Sequence, residues 1–399
     1  MSENKGQKIY RTVMLIVITA LVTAIITTVL VYQKVTGTMN IKSIASSGSN
    51  SGLELTLSKI REILEEKYIG TIDDEKMLES AIKGYVAGLG DEYAEYYTPE
   101  EMSSELDEAI GNYVGIGIYM LVNKTDGMII VTQPMENSPA ETVGIKAGDI
   151  ITKVNDEEIT KDNVLDMSNK IKGEEGTKVK LEIKREKETL TFEVERKRIV
   201  VSHIKASVKE NSIGYINITD FEGGTAAEFK TKYEELKKKG IKSLIIDIRD
   251  NGGGVVDESL NILDMLCNKD ETLLITVDKS GKEVVTKAKQ DQTIDVPIVV
   301  LVNQNSASAS EILAGALKDN GRAKLVGTKT YGKGIIQTLM KLSDGSGLKM
   351  TTEEYYTPNH NKINKVGIEP DYEVELPKEI TTLTDENDTQ LQKAIELLK

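Results

Sequence analysis

Three serines, Ser306, Ser308 and Ser310, alternate with alanines ahead of Glu311, and a lysine flanked by glycines, Lys333, follows with Gln337 four positions beyond it. These types point to nucleophilic chemistry. A serine hydroxyl attacks poorly until a base takes its proton. The usual base is nearly absent, because the chain has only two histidines, His203 and His360. Lysine is the remaining candidate, and it must be neutral to act, with its pKa driven well below about 10.4 by an apolar site. Lys333 is followed by Ile335 and Ile336, with no acid nearby in the sequence. Gln337, on the same face of a strand as Lys333, can orient the amine through a neutral amide without favouring its charged form. A helix opening at Ala309 aims N–H groups at an oxyanion beside Ser308. The Gly252-Gly253-Gly254 loop offers a second donor, since no side chain blocks its backbone. Each piece also has a plain structural reading. Ser308-Ala309-Ser310-Glu311 fits a capping box, Lys333 suits a surface turn, and three glycines suit a loop. Together they supply nucleophile, base, orienting group and oxyanion hole, with the choice among the three serines still open.

The elements that must position these residues read as an α/β core. From Asn211 onward, apolar strands at 213–218, 244–248, 297–302, 323–327 and 335–342 alternate with helices at 225–239, 256–266 and 309–319. Glycine-rich turns stand where strands hand over to helices, the usual place for ligands in such folds. Residues 113–198 differ, with short strands around Ile129–Val131, Asp149–Asn155 and Val179–Lys184 and a helix between Asn163 and Lys172. The order Ser138-Pro139-Ala140, then Gly144-Ile145-Lys146-Ala147-Gly148-Asp149, is similar to a PDZ domain of the bacterial protease type. Gly115, Ile116, Gly117 and Ile118 then match the loop with which such domains take a peptide C-terminus. Glycines let successive N–H groups converge on a carboxylate, and the following strand accepts an extended peptide as a neighbour. Upstream, Leu55, Leu57, Ile60, Leu64 and Tyr68 recur at helical spacing, with no chemical signature.

Composition sets further bounds. A net charge of −14 and the absence of Trp argue against nucleic acid as a partner. The single cysteine, Cys267, excludes an intramolecular disulfide and reads as a buried helix position. Residues 12–32 carry no charge, and as a helix they span about 30 Å, the thickness of a bilayer core. Lys5, Lys8 and Arg11 precede them against Glu3, which favours a cytoplasmic N-terminus. The run is long for a signal peptide and no Ala-x-Ala site follows, so an uncleaved single-pass anchor in the cell membrane is expected, with the rest extracytoplasmic.

The succession of anchor, helical segment, PDZ, Arg249-Asp250-Asn251-Gly252-Gly253-Gly254, the serine turn with its helix, Tyr331-Gly332-Lys333-Gly334 and Gln337 resembles the carboxyl-terminal processing peptidases. These are the tail-specific proteases of the S41 family, and the resemblance covers roughly residues 55–380. It implies Ser308 as nucleophile, 25 positions before the lysine, with Lys333 as base and Gln337 as its helper. It places the oxyanion donors on the backbone of Ala309 and Gly254. The implied fold is α/β, a crotonase/ClpP-like cap-and-core serine protease domain with the PDZ inserted, preceded by an N-terminal transmembrane helix. The domain plan reads 1–11 cytoplasmic tail, 12–32 transmembrane helix, 33–52 flexible linker, 53–111 helical segment, 112–198 PDZ, 199–380 peptidase core and 381–399 C-terminal helix. Protein or peptide substrates with apolar C-termini are expected, with no metal or cofactor, and the helical ends suit pairing of two copies into a homodimer. Lys172 stands where regulated members are expected to carry a substrate-reading arginine. It keeps the charge but lacks the bidentate fork. The main alternative is a PDZ-based peptide-binding protein with an inert protease-like core, against which the intact Ser308, Lys333 and Gln337 argue. An acyl-CoA enzyme of the crotonase type shares the oxyanion logic but needs neither this lysine nor a peptide-binding module.

Overall fold

The structure is a computed structural model that describes residues 50–399 except 112, 124, 200 and 378–381. The expected tail at 1–11, the apolar run at 12–32 and nearly all of the linker at 33–52 lie outside the described residues. Among the described residues, no helix is long and apolar enough to cross a membrane. The chain divides into two compact units, 1–81 and 82–399. In the first, the helix Asn50–Lys67 pairs Arg61 with Glu65 one turn on at 3.0 Å and leaves Leu53, Leu55, Leu57, Ile60 and Ile63 exposed.

The second unit is built on a six-stranded sheet in the order Ile204–Lys209, Ile213–Ile218, Ser243–Asp247, Ile298–Val302, Ala323–Gly327, Tyr372–Glu373. All neighbours are parallel except the first pair. Ser243–Asp247 and Ile298–Val302 are buried at every position, as parallel strands covered on both faces require. Leu244, Ile246, Val300 and Val302 belong to a core shared with the helices Thr225–Lys238, Val256–Leu266 and Ala309–Asp319. The alternate residues Ile245, Val299 and Leu301 meet Leu391, Ala394 and Ile395 of the C-terminal helix Thr389–Leu397. That helix therefore spends its apolar face inside its own unit. Cys267 is buried at the end of Val256–Leu266, where burial pushes its thiol up to about 12.

An antiparallel sheet of five strands flanks this one. Gly347–Tyr356 pairs with Glu95–Tyr97, Thr272–Asp278 and Ile335–Lys341, and Glu283–Lys287 forms the far edge beside Thr272–Asp278. Gly347–Tyr356 is half-buried along most of its length and rich in Thr and Glu, so no hydropathy pattern marks it. Glu95–Tyr97, within the stretch expected to be helical, is a strand of this sheet.

The inserted domain hangs from a two-stranded neck, Tyr113–Gly115 against Lys197–Ile199. Its sheet runs Ile118–Asn123, Met128–Pro134, Ile150–Val154, Lys178–Arg185, Glu188–Glu195, with Ile118–Asn123 at the edge. Gly144 closes the helix Pro139–Val143 at φ 89°, a left-handed cap that favours glycine. Asp149 is fully buried and accepts both arms of Arg185 at 2.7 Å, so the guanidinium holds its carboxyl below the usual range although burial alone would raise it.

Candidate active site

The three serines of the turn have different fates. Ser306 is buried and its hydroxyl donates to the Ile248 carbonyl at 2.8 Å while accepting the Asn303 N–H at 3.0 Å. Ser310 is buried and its hydroxyl donates to the Asn251 carbonyl at 3.0 Å. Ser308 is half-buried, and its hydroxyl donates to no group among the described residues. Its backbone sits at φ 55°, ψ −118°, a left-handed conformation costing on the order of 1–3 kcal/mol for a residue with a side chain. The two neighbouring serines are thus the stitches, and the middle one is displayed.

Glu311 and Tyr355 tie Ser308 to Lys333 through the main chain. Glu311 is fully buried, and its carboxylate accepts the Ser308 N–H at 3.1 Å, the Lys333 N–H at 2.8 Å, the Gly332 N–H at 2.8 Å and the Thr330 hydroxyl at 2.6 Å. Burial raises its pKa above the usual carboxylate value against the pull of those four donors. The buried Tyr355 hydroxyl reaches the carbonyl oxygens of Lys333 and, at 3.0 Å, of Ser308. Ser308-x-x-Glu311 does form a helix cap, and the same carboxylate also anchors the lysine turn. The capping pattern was therefore the visible signal for a residue that joins both halves of the site. Tyr355 carried no such signal.

Lys333 precedes its strand, which begins at Ile335, so strict alternation does not set its direction relative to Gln337. Opposite the step from Ile336 to Gln337, the neighbouring strand carries one extra residue, Thr352. Gln337 donates its amide to the Thr351 hydroxyl at 3.3 Å. The half-buried Lys333 places Nζ 4.1 Å from the centre of the Tyr93 ring. Among the described residues, no hydrogen bond links Lys333 Nζ to Ser308 or to Gln337. The fold also corrects the expectation of no nearby acid, since Glu92 and Asp91 approach Lys333 and oppose its deprotonation. Burial, aided by the charge of Lys349, still pulls the lysine pKa down. Lys349 is held by Glu105 at 2.8 Å and by the Tyr97 hydroxyl at 3.2 Å.

The glycine loop is fastened to the serine turn by Asn251, which is fully buried. Its side chain accepts the Gly253 N–H at 2.8 Å and donates to Ile218, and its carbonyl accepts the Ala307 N–H at 3.0 Å. Gly253, at φ 108°, passes so close that a Cβ there would lie 2.7 Å from Ser308 Cβ and 3.0 Å from the Ala309 nitrogen. The Gly253 N–H is occupied, whereas the N–H groups of Gly252, Gly254 and Ala309 have no hydrogen-bond partner among the described residues. The loop begins at Arg249, a buried guanidinium that sequence reasoning passed over. It pairs with Asp247 at 2.6 Å and with Asp388 at 2.8 Å, pinning the C-terminal helix beneath the loop.

In the inserted domain, Ile116 is buried and Gly117 turns at φ 74° against Ser138. The carbonyls of Ile116 and Gly117 accept the Ala140 and Met135 N–H groups at 2.9 and 3.0 Å. Their own N–H groups have no partner among the described residues. Gly115 closes the neck strand and Ile118 opens the edge strand. The helix Val164–Ile171 beside that strand ends on Arg196, whose guanidinium donates to the Lys170 carbonyl at 2.6 Å and the Ile171 carbonyl at 3.1 Å. An arginine thus does reach this helix end, from the strand side rather than from position 172.

A peptidase family S41 model matches residues 212–374, and a PDZ domain model matches residues 130–185. The chain is 35% identical over 359 residues to the carboxy-terminal processing protease CtpA of Bacillus subtilis (strain 168), covering 90% of this chain and 76% of that protein. It is 34% identical over 386 residues to a probable CtpA-like serine protease of Staphylococcus aureus (strain MSSA476), covering 94% and 75%. Among solved structures, a photosystem II D1 C-terminal processing protease shares 28% identity at a TM-score of 0.48, over 84% of this chain and 90% of that one.

Proposed function

The chain belongs to peptidase family S41 as a serine protease of the carboxyl-terminal processing type, and from that premise we propose that Ser308, Lys333 and Gln337 are its catalytic set. Neutral Lys333 takes the Ser308 hydroxyl proton as Oγ bonds to the scissile carbonyl carbon. The oxyanion is received by the N–H groups of Ala309 and Gly254. The lysine ammonium returns the proton to the departing amine as the C–N bond breaks. Lys333, neutral again, then deprotonates a water that attacks the acyl carbon, and hands that proton to Ser308 Oγ as the ester bond breaks. Gln337 orients the amine in the reacting state. The observation that carries this assignment is the contrast among the serines, with Ser306 and Ser310 spent on carbonyls and Ser308 displayed in a strained conformation beside two unpartnered N–H groups.

The substrate tail, in the same proposal, enters the inserted domain. Its carboxylate meets the Gly115–Ile118 turn, and its last residues add as a strand along Ile118–Asn123, whose edge is open. Ile118, Met120 and Val122 pack partly into the domain core beside that edge, which favours apolar terminal residues. We also place the enzyme on a membrane through residues 12–32, with its catalytic part extracytoplasmic, in a crotonase/ClpP-like cap-and-core arrangement. Two copies pair through the exposed leucines and isoleucines of Asn50–Lys67. Light scattering on a Leu53→Asp, Leu57→Asp double variant tests the pairing, and protease accessibility in intact cells tests the topology.

The deciding experiment incubates the full chain, Ser308→Ala and Lys333→Ala with an unfolded protein bearing an apolar C-terminus, and with the same protein amidated. Cleavage by wild type alone, weakened by amidation, is expected. Cleavage by Ser308→Ala overturns the mechanism, and indifference to amidation overturns tail capture.

A further inference from the structure

The loop that leads from the helical segment into Glu95–Tyr97 brings Tyr93 over the one amine that the reaction needs free. The distance of 4.1 Å from Lys333 Nζ to the ring centre is that of a cation resting on an aromatic face. The same loop engages the helper. Asp91 accepts the Tyr93 N–H at 3.0 Å through one oxygen and the Thr351 N–H at 3.2 Å through the other. Thr351 in turn takes the Gln337 amide. One carboxylate therefore fixes both the ring that holds the lysine and the threonine that holds the glutamine. The lysine main chain, by contrast, is fixed beside Ser308 by Glu311 and Tyr355. The two main chains thus share the same pair of anchors, while the lysine side chain runs to the Tyr93 ring.

Resting on the proposed role of Lys333 as base, we infer that Tyr93 is a positioning residue that seats the protonated lysine in an off position, and that the amine must leave this ring to reach Ser308. An aromatic face attracts the ammonium and gives nothing comparable to the neutral amine, so the seat favours the proton-bearing form. The charged and titratable groups facing the amine are Asp91 and Glu92 on the loop and Lys349, held by Glu105, on the neighbouring strand. Glu311, Tyr355 and Tyr331 lie at its main chain or turn. Asp91 and Glu92 work with the seat, while burial and Lys349 work against it. The site is thus balanced between holding a cation and releasing a base.

The test uses the full chain with phenylalanine, then mono-, di- and trifluorophenylalanine, at position 93, followed by Tyr93→Leu. Fluorination weakens the ring face at nearly constant shape. Two quantities are read, the acidic limb of kcat/KM against pH on a peptide ester, and the pH dependence of amine acylation at Lys333 in a Ser308→Ala background. Tyr93→Phe is expected to retain the wild-type limb. Each added fluorine is expected to move both curves to lower pH, and Tyr93→Leu to raise kcat/KM below the limb by between about two- and thirty-fold through kcat rather than KM. Curves that do not move with fluorination, or that move to higher pH, overturn the seat. The acylation curve reads the amine without turnover, so a poorly active Leu variant still decides the question. Loss of cleavage in Lys333→Ala with no response to fluorination removes the seat and leaves the base. Cleavage by Lys333→Ala removes the base itself.

Discussion

The nucleophile and the base proposed for this site are held in opposite ways. Ser308 is over-determined. Buried serines stand on either side of it, Asn251 binds the turn to the glycine loop, and Glu311 and Tyr355 grip its main chain. Such redundancy is what sustains a non-glycine residue at φ 55°. Lys333 shares Glu311 and Tyr355 at its backbone, but beyond Cα its amine has, among the described residues, only a ring face and a set of opposed charges. The difference teaches where control can enter. A clamped nucleophile is ready in every state, whereas an amine on a long side chain can be moved by small changes in the loop that carries Tyr93.

The largest expected effect comes from removing the base while leaving its seat occupied. Lys333→Arg keeps a cation for the Tyr93 ring but cannot lose its proton at working pH. Turnover should fall by about 10⁴-fold or more with little change in melting temperature. Retention of more than a few per cent of activity would locate the base elsewhere. The nucleophile side should fail differently. Glu311→Gln turns an amide NH₂ toward donors that now meet a carboxylate. A loss of about 2–4 kcal/mol in urea unfolding is expected, with kcat falling together with stability. An unchanged unfolding curve would show that the clamp is not what holds the two backbones together.

What the sequence disclosed follows the same division. The nucleophile side is contiguous in the chain, so the serine turn, the helix at 309–319 and the glycine loop could be read from motif and spacing, and the core strands from their apolar runs. The environment of the base is assembled by sheet register. Asp91 and Thr351 meet although they lie 260 positions apart, because Glu95–Tyr97 pairs with Gly347–Tyr356 at Glu95 and Lys349. Neither segment has a hydropathy pattern that would announce the pairing, so Tyr93, Lys349 and Tyr355 left no trace. The spacing argument that set Gln337 on the face of Lys333 lacks its footing for a local reason, since Lys333 stands ahead of the strand that begins at Ile335.

A smaller effect sharpens the account of the base. Lys349 helps to hold the Lys333 pKa down, and its removal also takes away the ion-pair partner of Glu105. Lys349→Met should raise the lysine pKa and carry the acidic limb of kcat/KM to higher pH. The expected cost is a few-fold loss of rate near neutrality with KM unchanged. A limb that stays in place would mean that burial alone sets the base.

The smallest effect separates the two sides by pH. His203 is buried against Asp220 at 2.5 Å, and although burial pulls its pKa down, Asp220 with Glu222 and Glu228 raises it above the usual histidine value. Asp220 precedes Phe221, whose N–H and carbonyl bond Gly253 and Val255, so this pair supports the glycine loop. A raised folded pKa means that the pair's stabilisation is fully present below about pH 6.5 and is lost as pH rises through the folded value. Wild type should therefore exceed His203→Gln in unfolding free energy by about 1 kcal/mol at pH 6, with the gap closing toward pH 9. The acidic limb of kcat/KM should be the same in both, because that limb belongs to the lysine. A shift of the limb in His203→Gln would mean that the nucleophile side also titrates into the rate, and the contrast between a fixed serine and a movable base would fail.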